Sequence, residues 1–184
     1  SVGYSFVYDN LNNRQRPTAG NRVVFSQDFA GLGGSVRYIR TTVNAKKYWG
    51  FGKGFIFSVS GEGGYIKGLG QQVRLTDRFF LGEPQMRGFD IRGVGPRIIR
   101  RFYNTQTTAD LNDFIKGQEN DDALGGNTYY QGRAELELPL GSGGRELGLR
   151  PSIFADMGAV FGLRRPITTS PFTTDQFRPI LNTA

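Results

Sequence analysis

The residues that could do chemistry in this chain are carboxylates, arginines and hydroxyls, because it contains no histidine and no cysteine. The commonest general base, the commonest transition-metal ligand and every thiolate nucleophile are therefore excluded, and with them most hydrolase triads and zinc sites. Glu135 and Glu137 form an i, i+2 pair, roughly 6.5–7 Å apart on an extended strand, a spacing that overlaps that of glycosidase carboxylates. No aromatic sugar platform accompanies them, so a polar strand face is the better reading. Glu119 with Asp121-Asp122 lacks EF-hand spacing and reads as a solvated acidic loop. Gly31-Leu32-Gly33-Gly34 lacks the following Lys-Ser/Thr and the helix start that phosphate cradling requires, and reads as a turn. The net charge is +7, from 23 Lys and Arg against 16 Asp and Glu, with small basic knots at Arg37/Arg40, Lys46/Lys47 and Arg97/Arg100/Arg101. Aromatics sit on the strand faces opposite the charges, which argues against nucleic-acid binding. Basic residues beside aromatic girdles suit anionic lipid headgroups. The sequence holds no visible cofactor, nucleotide or metal site, and it reads as that of a non-enzyme.

The elements that must position these residues are strands. The 184 residues suffice for one domain or a substantial piece of a larger one. Period-2 alternation dominates and no long amphipathic helix stands out. Strands are expected at about 1–10, 22–29, 35–49, 55–65, 129–138 and 147–161. In the first, Val2, Tyr4, Phe6 and Tyr8 share a face. In the clearest, Tyr130, Gly132, Ala134, Leu136 and Leu138 oppose Gln131, Arg133, Glu135 and Glu137. In the last, Leu149, Ile153, Ala155, Met157, Ala159 and Phe161 oppose Arg150, Ser152, Phe154, Asp156 and Gly158. A turn is expected at 141–146. Gly makes up 27 of the residues, about twice the usual ~7%, without a collagen period.

No apolar run reaches the roughly 18–20 residues of a membrane-spanning helix, but transmembrane strands need only about 9–11 alternating residues. A mean hydropathy of −0.39 suits a porin-like barrel as well as a soluble protein. Long strands with an aromatic-rich face and a charged opposite face suit a barrel with lipid outside and a polar lumen. A soluble sandwich would bury the same faces between sheets, and the pattern alone leaves both open. Six strands with unpaired edges do not close such a barrel. Ser1 opens directly into a strand pattern without a signal peptide, and the last residues, Arg178 to Ala184, close no recognisable element; both suggest a piece of a longer chain.

Between the fourth and fifth strands runs a long connection at about 66–127, far beyond the usual 12–15-residue limit for a loop. Its apolar residues beside glycines, as in Phe79-Phe80-Leu81-Gly82, argue for an ordered, packed loop; 103–122 reads as a polar excursion with a short helix near 109–115. Arg87 lies in this loop, between Met86 and Gly88-Phe89. Glu135 and Asp156 lie on the polar faces of the two strands that follow. If that face is a barrel lumen, an inward-folding loop brings Arg87 to both carboxylates, and a planar guanidinium suits the pairing as a lysine would not. Gly88 allows the tight turn and Phe89 wedges the tip.

Met86-Arg87-Gly88-Phe89 resembles the Val-Arg-Gly-Phe/Tyr loop motif of BamA-type outer-membrane assembly factors, the bacterial surface-antigen family. Arg78-Phe79-Phe80-Leu81-Gly82 resembles the segment before that motif and Gly93-Val94-Gly95-Pro96-Arg97 the one after it. Leu124-Gly125-Gly126-Asn127, Ala134-Glu135-Leu136-Glu137-Leu138-Pro139 and Phe154-Ala155-Asp156-Met157-Gly158 resemble later family stretches, and Tyr8-Asp9-Asn10 through Pro17-Thr18-Ala19-Gly20 an earlier one. The order is kept over nearly the whole chain; Met86 replaces the usual Val. The resemblance implies an all-β antiparallel transmembrane β-barrel of sixteen strands, here a fragment of about six with one long inward-folding loop, 1–184 being part of the C-terminal barrel domain. It implies a structural cluster of Arg87, Gly88, Phe89, Glu135 and Asp156. The POTRA domains and the terminal barrel strands, with the lateral gate, would lie outside this chain. The implied function is folding and insertion of β-barrel proteins into the bacterial outer membrane. The implied partners are unfolded outer-membrane β-barrel proteins, assembly-machinery lipoproteins and outer-membrane lipid or lipopolysaccharide. Alternatives are a related polypeptide-transporting barrel (a two-partner secretion pore or a TamA-type assembly factor) and a soluble β-rich binding protein.

Overall fold

Alternation of apolar and polar side chains over ten or more residues can be satisfied only by extended backbone with one face on each medium, and six long strands form on that basis. The computed structural model describes residues 1–31, 33–103, 114–140, 149–163 and 177–182. Strands β1 (Val2–Asp9), β2 (Gly20–Ala30), β3 (Tyr38–Phe51), β4 (Phe55–Gly68), β5 (Arg97–Tyr103), β6 (Phe114–Ala123), β7 (Thr128–Glu137), β8 (Ser152–Phe161) and β9 (Phe177–Asn182) follow in chain order. They build an antiparallel six-stranded sheet in the order β1-β2-β3-β4-β7-β8 and a three-stranded sheet in the order β6-β5-β9. The large sheet is open, with β1 and β8 as its outer strands.

Register assigns every side chain of the large sheet to one of two faces, because residues directly opposite in a ladder point the same way. Phe6 lies opposite Phe25, Phe25 opposite Val43, Trp49 opposite Phe57, Phe57 opposite Leu136 and Leu136 opposite Ile153. This outer face is apolar and solvent-exposed, with Phe6, Phe51, Ile153 and Met157 among its uncovered side chains. A polar group in its midst is satisfied locally: Gln27 accepts a hydrogen bond from the Tyr4 hydroxyl at 2.8 Å and donates one to the Thr41 hydroxyl at 3.0 Å. The opposite, inner face carries Arg40, Asn44, Glu62, Arg133, Glu135 and Asp156 by the same registers.

The buried core lies between the inner face and the long connection that folds over it. Val73, Phe79, Leu81 and Met86 come from the connection, and Ile66, Tyr129 and Val160 from the wall. Phe79 packs on Tyr129 in a tilted pair with centroids 4.6 Å apart, and Arg40 lies 4.5 Å from the Phe79 ring centroid. Backbone pairing holds the connection in place: Phe79 and Gly126 exchange hydrogen bonds of 2.9 Å, and Val94 donates to Leu81 at 3.0 Å.

Several expectations are corrected. The connection starts after Gly68, since β4 continues past residue 65, and it contains strand structure of its own in the β5–β6 hairpin. Phe114–Ala123 is a strand where a polar excursion and a helix near 109–115 were expected; residues 109–113 of that helix lie outside the described residues, as does the turn at 141–146. Register places Arg97 to Arg101 against Ala123 to Glu119, and Arg97 binds Asp121 at 2.6 Å. The acidic stretch 119–122 is thus part of a paired strand rather than a loop, and Asp121 remains 46% exposed. The terminal segment also forms an element, since β9 pairs with β5. The last strand of the large sheet begins at Ser152, with the Pro151 carbonyl accepting from the Leu138 N–H at 2.9 Å just before it, and residues 147–148 of the expected strand lie outside the described residues.

Candidate functional site: the loop-to-wall ion cluster

Asp156 sits on the inner face of β8 directly opposite Arg133 of β7, and Glu135 lies opposite Phe154. Two residues along a strand return to the same face, so Arg133, Glu135, Phe154 and Asp156 form one patch. A neutral wall would leave the Asp156 carboxylate, with a side chain only 3% exposed, without compensation. Two arginines supply it. Arg133 donates from Nε to Oδ1 at 2.7 Å and from an η nitrogen to Oδ2 at 3.1 Å. Arg87, from the loop, donates to Asp156 Oδ2 from Nε and from its backbone N–H, each at 3.2 Å.

The other arm of the Arg87 guanidinium reaches Glu135 at 3.2 Å, and the guanidinium carbon lies 3.3 Å from the centroid of the Phe154 ring. Glu135 also accepts from the Ser152 hydroxyl at 2.6 Å. Two arginines and two carboxylates balance in charge. Burial alone would lower the Arg87 pKa, but the hydrogen bonds and charges of Asp156 and Glu135 outweigh it and the pKa is raised, so the cation is permanent. Both carboxylates are taken up by arginines, and the arrangement fastens a loop to a wall.

The loop is shaped for this contact. Met86 donates its N–H to the Gly82 carbonyl at 2.9 Å, closing a turn immediately before Arg87 and Gly88. Gly88 has φ +84, where a side chain is strained even though open space surrounds it. Gly158 answers it from the wall: a Cβ there would stand 2.7 Å from Leu81 and 3.4 Å from the Met86 sulfur. Close seating of the loop depends on that missing methyl.

The structure brings Arg87, Glu135 and Asp156 together and puts the φ-positive Gly88 beside them. Phe89 is 45% exposed, while Met86 is 4% exposed, so the buried tip residue is Met86. Sequence reasoning missed four contributors. Arg133 bridges Asp156 and the Gln85 carbonyl, which it reaches at 2.8 Å; Gln131 donates to the same carbonyl; Phe154 underlies the Arg87 guanidinium, and Ser152 steadies Glu135. Alternation had put all four on the correct face, but their partners depend on a register that spacing does not reveal.

An exposed apolar outer face, a polar inner face and a loop locked inside define a section of a transmembrane β-barrel wall. Residues 1–178 match the Omp85 superfamily domain, and the chain belongs to that family. It is 34% identical over 165 residues to the outer membrane protein assembly factor BamA of Neorickettsia risticii, covering 89% of this chain and 19% of that protein. It is 28% identical over 170 residues to the sorting and assembly machinery component 50 homolog of Bos taurus, covering 89% of this chain and 32% of that one. The solved structure of BamA from Haemophilus ducreyi lacking POTRA domains 1–3 shares the fold, with a TM-score of 0.69 at 23% identity over 87% of this chain and 29% of that chain. The chain thus spans between a fifth and a third of the length of these relatives.

Proposed function

We propose that this chain is the part of an outer-membrane assembly machine in which the long loop is locked to the barrel wall. The machine folds β-barrel proteins and inserts them into the bacterial outer membrane. The observation that carries this reading is the Arg87 cluster, set within a family match that extends over nearly the whole chain. Its clients are unfolded outer-membrane β-barrel proteins, and assembly lipoproteins and outer-membrane lipid are its working partners. The activity needs no bond chemistry. A client strand in lipid must pair its backbone groups, and a machine that offers a sheet edge supplies those partners until the client closes on itself. Further strands and periplasmic domains complete the machine, and the cluster keeps one loop arrangement inside the lumen.

The test is reconstitution of the full-length protein in vesicles with a urea-denatured β-barrel client. Folding, read as the heat-modifiable gel shift of the client, is expected to be faster than in empty vesicles and slower again with Arg87→Ala. Equal folding rates with and without the protein would overturn the reading.

A further inference from the structure

The outer face of the large sheet carries two charged residues among the described strand positions, Lys47 and Lys67, and no carboxylate. Lys67 lies opposite Ile39 on β3, eight residues from Lys47. At ~3.3 Å per residue the separation is about 26 Å along the strand, or roughly 20 Å along the membrane normal at a tilt near 40°. Both side chains are long enough to lean outward, so their ammonium groups bracket an apolar band close to the ~25 Å expected of such barrels. The longest connection, 69–127, leaves the Lys67 end, while those at the Lys47 end span only 10–19, 52–54 and 138–151, which makes the Lys47 end periplasmic.

At that end the groups are arranged for a ligand. The Lys47 ammonium lies 5.1 Å from the ring centroid of Trp49, on the side away from the band centre. Trp49 stacks on Phe57 with centroids 5.6 Å apart, which holds the indole as a shelf. Asn21 is the register neighbour of Lys47 on the same face. The ammonium has no carboxylate partner among the described residues, and its counter-charge must come from the surrounding medium.

We propose that Lys47, Asn21 and Trp49 form a binding site for the phosphate of an anionic phospholipid in the periplasmic leaflet. The inference rests on the membrane-barrel reading above and deepens it. Lys47 meets the phosphate, Asn21 donates to one of its oxygens, and Trp49 with Phe57 packs on the glycerol and upper acyl carbons. A lone lysine near an anionic surface favours an anionic over a zwitterionic lipid by about fivefold.

Trp49 is the sole tryptophan of this sequence and serves as the reporter. The full-length protein, with Trp49 kept as its only tryptophan, is folded into phosphatidylcholine vesicles holding a minor fraction of acyl-brominated phosphatidylglycerol or acyl-brominated phosphatidylcholine. Brominated phosphatidylglycerol is expected to quench Trp49 with about fivefold higher apparent affinity. Lys47→Gln should bring the ratio to one, and Lys47→Arg and Lys67→Gln should leave it unchanged. Equal quenching of the wild type by the two lipids, or a preference surviving Lys47→Gln, overturns the site while leaving the barrel reading intact. Quenching by neither lipid overturns both. If Lys47→Gln fails to fold, judged by heat-modifiable migration, loss of the preference with Lys47→Arg overturns the site and its retention supports it.

Discussion

Asp156 and Glu135 both bind Arg87, yet they occupy different electrostatic situations. Asp156 is 3% exposed and holds two arginines, whereas Glu135 is 29% exposed and holds one arginine with a serine hydroxyl. Asp156→Ala leaves Arg133 without its carboxylate and Arg87 with Glu135 alone, and because both arginines keep about a third of their exposure the expected loss is about 3 kcal/mol, the low end for a broken buried pair. Glu135→Gln keeps an acceptor in a wetter site and should lose no more than about 1 kcal/mol. Urea midpoints of the folded full-length protein, followed by heat-modifiable migration, rank the two. Arg87→Ala falls between them, at about 1.5–3 kcal/mol, because Arg133 still compensates Asp156. Arg87→Lys should recover only part of that loss, since an ammonium cannot span both carboxylates and lie flat on Phe154.

At the scale of elements, the loop seats on the wall because β8 lacks a side chain at Gly158, where Leu81 and Met86 come down. Gly158→Ala puts a methyl 2.7 Å from Leu81, with the Tyr130 carbonyl at 2.9 Å on its other side. The backbone carbonyl cannot move, so the loop must, and a loss of about 1–3 kcal/mol is expected. Gly88→Ala meets no neighbour, and its cost is conformational, about 1–2 kcal/mol for holding a non-glycine residue at positive φ. The two variants are separable by limited proteolysis in the loop: Gly158→Ala should unseat it and speed cleavage, while Gly88→Ala should lower stability with a smaller change in cleavage. Strands were the most legible elements, since 55–65 and 129–138 alternate cleanly and form β4 and β7. The β5–β6 hairpin was not legible, because paired charges such as Arg97 and Asp121 read in one dimension as separate basic and acidic clusters.

Across the whole molecule the distribution of polarity is inverted relative to a soluble protein. The outer face is apolar and open, and the burial that does exist lies on the lumenal side, under the loop. Substitutions should therefore be judged by face and depth. Val43 is 41% exposed near the middle of the outer band, and Val43→Arg should cost about 2–4 kcal/mol and reduce insertion of the full-length protein. Thr42→Arg, one residue away on the inner face, should insert normally, as fractionation of the outer membrane would show. Equal effects of the two would mean that the faces are not divided between lipid and lumen.

What the order of residues determined by itself was the two-faced character of each strand, the chemistry excluded by the lack of histidine and cysteine, and the presence of one arginine in a loop with carboxylates on polar faces downstream. These follow from a period of two and from side-chain type, both local. Tertiary structure decided which face became the lumen, which strands were neighbours and in what register. It thereby decided that Asp156 faces Arg133 across the ladder and that Leu81 and Met86, rather than Phe89, fill the dent beside Gly158. The reason is physical: alternation states that a strand has two sides, but only pairing and the loop's descent onto the wall bring groups from different strands within hydrogen-bonding distance, where charge can be compensated.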